Sequence, residues 1–127
     1  MELIYFKTRD SLLCVHLKDI GVIKAEGNYS RIYYLNKHEV LLTVGIGRLE
    51  TILRKKTDDY HFVRLGRSII VNHKYFQKID LQKQTLELSN RGLNTVRINI
   101  AKSILKSYKD AIEKSLIIKR ERLYDNR

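Results

Sequence analysis

The apolar residues of this chain arrive in short runs, and a polar corner ends each run before it could complete three turns of helix. Leu3 to Phe6, Ser11 to Leu17, Ile20 to Ala25, Tyr29 to Leu35 and Val40 to Val44 follow one another. Between them stand Lys7-Thr8-Arg9-Asp10, the Gly27-Asn28 corner and Asn36-Lys37-His38-Glu39. Runs of this length, rich in Ile, Val, Leu and Tyr and bounded by Gly, Asn and Asp, read as strands. Corners so short can join strands only as antiparallel hairpins. Gly27 and Asn28 suit the left-handed backbone of a tight turn. Further on, Phe62 to Leu65 and Ile69 to Val71 flank Gly66-Arg67-Ser68, and Lys78 to Leu81 meets Thr85 to Leu88 across Gln82-Lys83-Gln84. Ser89-Asn90-Arg91-Gly92 then turns the chain into Thr95 to Ile98. The expected fold class is mainly β with short helices, a β-rich α+β arrangement of small antiparallel sheets.

Two segments depart from this pattern. Ile46, Leu49, Ile52 and Leu53 fall at helical spacing, which predicts one short helix lying on the sheet. Ile100, Ile104, Leu105, Tyr108, Ala111 and Ile112 mark a C-terminal amphipathic helix, with Asn99 placed as its N-cap and Asp110, Glu113 and the lysines outward. At 127 residues the chain has room for one core, so a single domain over 1–116 is expected, followed by a basic tail at 117–127 without a clear packing face. There is no proline to mark a linker, and no internal repeat or low-complexity stretch is visible.

Charge narrows the partner. The chain carries 25 Lys and Arg against 14 Asp and Glu, for a net charge of +11. Residues 1–100 hold +7 of this and residues 101–127 hold +4, so the excess belongs to the folded body and not to a detachable tail alone. Such a field attracts polyanions. No segment gathers its aromatic residues on one face as an interfacial membrane helix does, and no run of about 18 apolar residues offers a membrane span. The opening MELIYFKTRD has no apolar core of secretory type. The lone Cys14 excludes an internal disulfide and any zinc site built on paired thiolates, and fits a reducing cytoplasm. His16, His38, His61 and His73 have no metal-ligand spacing, and no carboxylate pair shares a predicted face. Asp58-Asp59 reads as a solvated turn. Gly45 and Gly47 lack the third glycine and the lysine of a phosphate loop. No catalytic activity, cofactor or metal is expected.

A polyanion binder needs several cations for phosphates and a few rigidly held groups for base edges. Arg can bond guanine O6 and N7 together, and Asn can bond adenine N6 and N7. The strand-flanking loops offer Ser30-Arg31, Arg67-Ser68 and Arg97-Ile98-Asn99. Neither helix has a partner helix close in sequence, which argues against a helix-turn-helix and for readout by loops.

Taken together, in this order and spacing, DIGVIKAEGNYSRIYYL, RLETIL, FVRLGRSIIVN and VRINIAKSIL resemble the LytTR DNA-binding domain of bacterial response regulators, from about Ile20 to Leu116. The resemblance implies an elongated set of small antiparallel sheets with short helices. It also implies loops that enter successive major grooves of double-stranded DNA and bend it, and chains that occupy direct repeats in pairs, so a homodimer on DNA is a possible partner state. By that likeness the base-reading positions fall on Ser30 or Arg31, on Arg67 and on Asn99; Ser68, Arg97 and Lys102 serve phosphates; and Asn28, in the first turn itself, joins the candidate set. Asn72 resembles the family's structural asparagine. Two departures stand out: Gly66 replaces the usual histidine before the Arg-Ser pair, and Asn99 replaces an arginine.

Each candidate also has a plainer role. Arg31 could be an ordinary exposed strand residue, Ser30 and Ser68 turn residues bonding their own backbone, and Asn99 divides evenly between helix cap and adenine reader. The function expected is sequence-specific DNA binding in the cytoplasm as part of a transcription regulator. The alternative is a protein-interaction module that presents a basic sheet surface to an acidic partner. The family's usual receiver domain would precede the DNA-binding part and nothing of that size precedes Met1, so the expectation is either a fragment or a free-standing regulator.

Overall fold

The computed structural model of the chain describes residues 3–56, 61–91 and 93–126. The predicted Asp58-Asp59 turn and Gly92 lie outside the described residues. Strands β1 (Leu3–Lys7) and β2 (Leu12–His16) form a two-stranded hairpin. Strands β3 (Ile20–Glu26), β4 (Tyr29–Tyr34) and β5 (Glu39–Leu42) form the expected meander, and helix α1 (Ile46–Lys56) follows. Strands β6 (Phe62–Leu65) and β7 (Ile69–Asn72) then extend the same sheet, giving the order β5-β4-β3-β7-β6 with all neighbours antiparallel. After a 3₁₀ turn at His73–Tyr75 come β8 (Phe76–Asp80), β9 (Thr85–Ser89) and β10 (Thr95–Asn99), a separate three-stranded sheet. Helix α2 (Lys102–Ile118) closes the fold.

The five-stranded sheet has a core on each face. Because side chains alternate along a strand, Ile23, Ile32, Leu42 and Ile70 pack to one side. There they meet Ile4 and Val15 of the hairpin and Ile46, Leu49 and Leu53 of α1. Val22, Leu65 and Val71 point to the other side and meet Leu86 and Leu88 of β9 and Leu105 and Tyr108 of α2. The central strand β3 therefore runs as the continuous buried stretch Ile20-Gly21-Val22-Ile23, as a strand covered on both faces must. Each such Ile, Leu or Val, once buried, stabilises the fold by about 1.5–3 kcal/mol. Tyr33 and Tyr34 point to opposite faces, as their adjacency requires: Tyr34 packs against the first core and Tyr33 against the second.

Two local features differ from the sequence reading. Asn99 is not the cap of α2: it is the last residue of β10, paired with Thr85, and the next amide, Ile100 N–H, still donates to Gln84 O at 3.0 Å. With the backbone committed to that ladder, the N-cap position passes to Ala101, whose side chain cannot cap. At the other end α2 runs through Ile117 and Ile118, two residues into the expected tail. The 3₁₀ turn has no counterpart in the apolar pattern of the sequence. Asn72, buried at the end of β7, accepts from Lys74 N–H at 3.1 Å and so starts it. His73 Nδ1 then lies 2.5 Å from the buried Tyr108 Oη, tying the turn to α2.

Candidate nucleic-acid interface

Strands β3 and β4 meet in a two-residue turn, with Glu26 opposite Tyr29 and Gly27-Asn28 between them. Gly27 takes φ +59, the left-handed backbone that favours glycine at the first central position of a hairpin turn. Asn28 is exposed at its tip. Strand β7 lies beside β3 with Lys24 opposite Ile69, so the β6–β7 turn falls at the same end of the sheet. The two turns are joined there by Ala25 N–H donating to Ser68 O at 2.8 Å.

The β6–β7 turn is built on Gly66, with φ +70. A Cβ on Gly66 would stand 2.9 Å from Ile104 Cδ1, so the first turn of α2 is seated directly on this glycine. Lys102 begins that turn and is exposed, and Asn99, also exposed, ends β10 three residues earlier. One end of the molecule thus gathers Asn28, Arg67, Ser68 and Lys102, with Asn99 leading into the same helix start.

Charge at this end is uneven. Arg31 of β4 lies on the same face of the β3–β4 pair as Glu26 of β3 and is bound to it through Nε and Nη2, with Glu39 3.4 Å from Nη1. The hydrogen bond to Arg31 holds the Glu26 carboxyl below its ordinary range and raises the guanidinium in turn. Arg97, on the outer side of β10, donates to Glu87 at 3.0 and 3.2 Å. By contrast, no carboxylate among the described residues pairs with Arg67 or Lys102. Lys102 sits in the first turn of α2, where the helix dipole disfavours a cation.

Ser30 must be removed from the readers. It is fully buried, and its hydroxyl donates to Val44 O at 2.6 Å. Alternation gives the reason, because Ser30 shares the inward face with Ile32 two residues on. Arg64, inside strand β6 and outside the loop tripeptides, also belongs to the site. Its Nη1 donates to Glu50 of α1 at 2.8 Å and its Nη2 to the carbonyl oxygen of Arg67 at 2.6 Å, so it ties the turn to the helix beneath it. The same alternation placed Arg64 with Phe62 on the α1 side, which was the signal available for it.

The family model for LytTr DNA-binding domains matches residues 10–113. The chain belongs to the LytTR DNA-binding domain family. A solved LytTr DNA-binding domain from Bacillus cereus, in a protein assigned as a methyl-accepting/DNA response regulator, is similar in fold. It has 19% identity and a TM-score of 0.59, over 88% of this chain and 97% of that one. No curated protein matches the sequence. Three small antiparallel sheets with two helices are thus the LytTR fold. The family is one of DNA-binding domains of transcription regulators and not a catalytic one. Among the described residues of this LytTR domain no His, Cys, Asp or Glu cluster could hold a metal ion, and no helix is long and apolar enough to cross a membrane.

Proposed function

We propose that this LytTR domain binds double-stranded DNA sequence-specifically, as the reading part of a cytoplasmic transcription regulator, with the turns at one end of its five-stranded sheet set into major grooves. The observation that carries the reading is the meeting of the β3–β4 turn, the β6–β7 turn and the start of α2, where Arg67 and Lys102 have no carboxylate partner among the described residues. An uncompensated guanidinium on a rigid turn suits a guanine edge, and an uncompensated ammonium suits a phosphate. Arg67 reads a base; Asn28 and Asn99 offer amides of the type that pairs with adenine; Ser68 and Lys102 hold the backbone. Arg31 and Arg97 reach DNA by exchanging a carboxylate for a phosphate, and so contribute less per charge than Arg67. Two copies occupy direct repeats side by side, and an input from a receiver domain or another partner governs when they do so.

The deciding experiment is selection of bound sequences from a random DNA pool, followed by titration of the selected and scrambled sequences over a range of salt. Enrichment of a repeated half-site, and a log affinity falling against log salt with a slope of about −5 for about six phosphates, are expected. Equal affinity for selected and scrambled DNA would point to the acidic-protein module, and a salt-insensitive complex would sink the phosphate contacts.

A further inference from the structure

A cleft of about 200 Å³ opens between the second face of the five-stranded sheet and strand β10. Val22 and Tyr33 form its sheet side, and Val96 and Ile98 its β10 side. Strand β10 is an edge strand, laddered to β9 alone, and its residues Val96 and Ile98 line the cleft across from the five-stranded sheet. Both are only half-buried, as is Tyr33, although all three belong to the second core. Apolar atoms facing such a gap lack partners on one side, and a body that fills it gains those contacts.

The rim gives the guest its charge. Lys24 Nζ stands 5.4 Å from the centroid of the Tyr33 ring and pairs with no carboxylate among the described residues. Lys37 Nζ, across the mouth, donates to Thr95 O at 3.1 Å and pins the near end of β10 to the sheet. Glu39 is the carboxylate on the rim, and it already faces Arg31. A flat apolar body between two walls, carrying one negative charge towards Lys24, satisfies both walls and rim. The volume limits that body to one or two fused rings, smaller than an ordinary cofactor site holds.

We propose that this cleft is a binding site for a small aromatic carboxylic acid, its ring between Tyr33 and Ile98 and its carboxylate at Lys24. The guest braces β10 against the sheet. Strand β10 leads through Asn99 into α2, and Lys24 is the cross-strand neighbour of Arg31, so the cleft adjoins the candidate DNA surface; occupancy needs no DNA to be detected.

The test is a titration of the full chain, without DNA, with 1-naphthoate and with its neutral amide, followed by amide chemical shifts and by hydrogen exchange over residues 95–99. The acid is expected to shift the amides of Val22, Tyr33, Val96 and Ile98, to slow exchange along β10, and to bind about 10-fold more tightly than the amide, as one charge-assisted contact allows. Lys24→Met, at the half-buried rim, should bring the acid down to the affinity of the amide, and Val96→Trp should abolish binding of both by filling the cleft. Equal affinity of acid and amide, shifts scattered over the basic surface, or a Lys24→Met protein that binds the acid as before would each overturn the proposal.

Discussion

Replacing Gly66 by alanine tests how the β6–β7 turn is held. An L residue at φ +70 pays for the clash of its Cβ with the backbone, about 1–2 kcal/mol. In addition the new Cβ would stand 2.9 Å from Ile104 Cδ1, well inside the usual contact of about 3.5–4.0 Å. That methyl is the free end of its side chain and can swing aside, which limits the second cost to the 0.5–1.5 kcal/mol or so of an off-rotamer isoleucine. The loss expected in Gly66→Ala is therefore about 1.5–3.5 kcal/mol, read from urea unfolding as a lower midpoint with an unchanged slope. Adding Ile104→Val, which removes Cδ1, separates the two causes: the double mutant recovers the contact part and keeps the backbone part, so the cycle yields a coupling of about 1 kcal/mol. Asparagine at 66 should cost less than alanine, since it tolerates the left-handed backbone. A Gly66→Ala protein within about 0.5 kcal/mol of its parent would refute the reasoning, as would a double mutant with no coupling at all.

The remaining expectations concern binding and pH. Arg67→Ala should cost about 1–3 kcal/mol at one preferred base pair and flatten the preference there; Lys102→Ala should weaken all sequences alike and reduce the salt slope by about 1, and a reversal of these two patterns would undo the assignment. Arg64→Ala removes two charge-assisted hydrogen bonds from a partly exposed guanidinium but leaves Glu50 with Arg54 at 2.9 Å, so the stability loss should stay near 2 kcal/mol. Selectivity at the Arg67 base pair should fall with it; unaltered selectivity on competition DNA would deny Arg64 any part in aiming the turn. His73 is held below its ordinary pKa by burial first, with Lys119 and His61 adding to it. A depressed folded value means that neutral His73 supports the fold fully above the unfolded pKa of about 6.5, and that this support is lost as pH falls through the lower folded value. Urea midpoints at pH 7.5 and 5 should therefore diverge more for the parent than for His73→Gln, and identical divergence would remove the histidine from the account.

The strands were legible because each apolar run is short and bounded by turn residues, and α1 was legible because Ile46, Leu49 and Leu53 repeat at helical spacing. The parity of β4 also held the answer on Ser30: a residue two before Ile32 points where Ile32 points. The register of the β3–β4 hairpin likewise puts Glu26 on the face of Arg31, so their pairing was readable once the turn was fixed at Gly27-Asn28. What sequence could not supply was contact between distant segments. Nothing in the run Ile69 to Val71 says that it lies beside β3, or that the backbone at Ser68 bonds Ala25. Nor does the sequence around Gly66 name Ile104 of α2 as the side chain that packs onto it.

The strand order has a consequence for how the chain is made. Strands β3, β4 and β5 can pair as soon as they leave the ribosome, through two short local closures, whereas the other edge of β3 must wait for α1 and β6 to be synthesised before β7 can cover it. During that interval Val22 and Ile23 lie on an open apolar strand edge, a template for pairing with a neighbouring nascent chain. Slow translation between α1 and β7 should thus lower the soluble yield of this protein, even though the finished fold buries that edge completely.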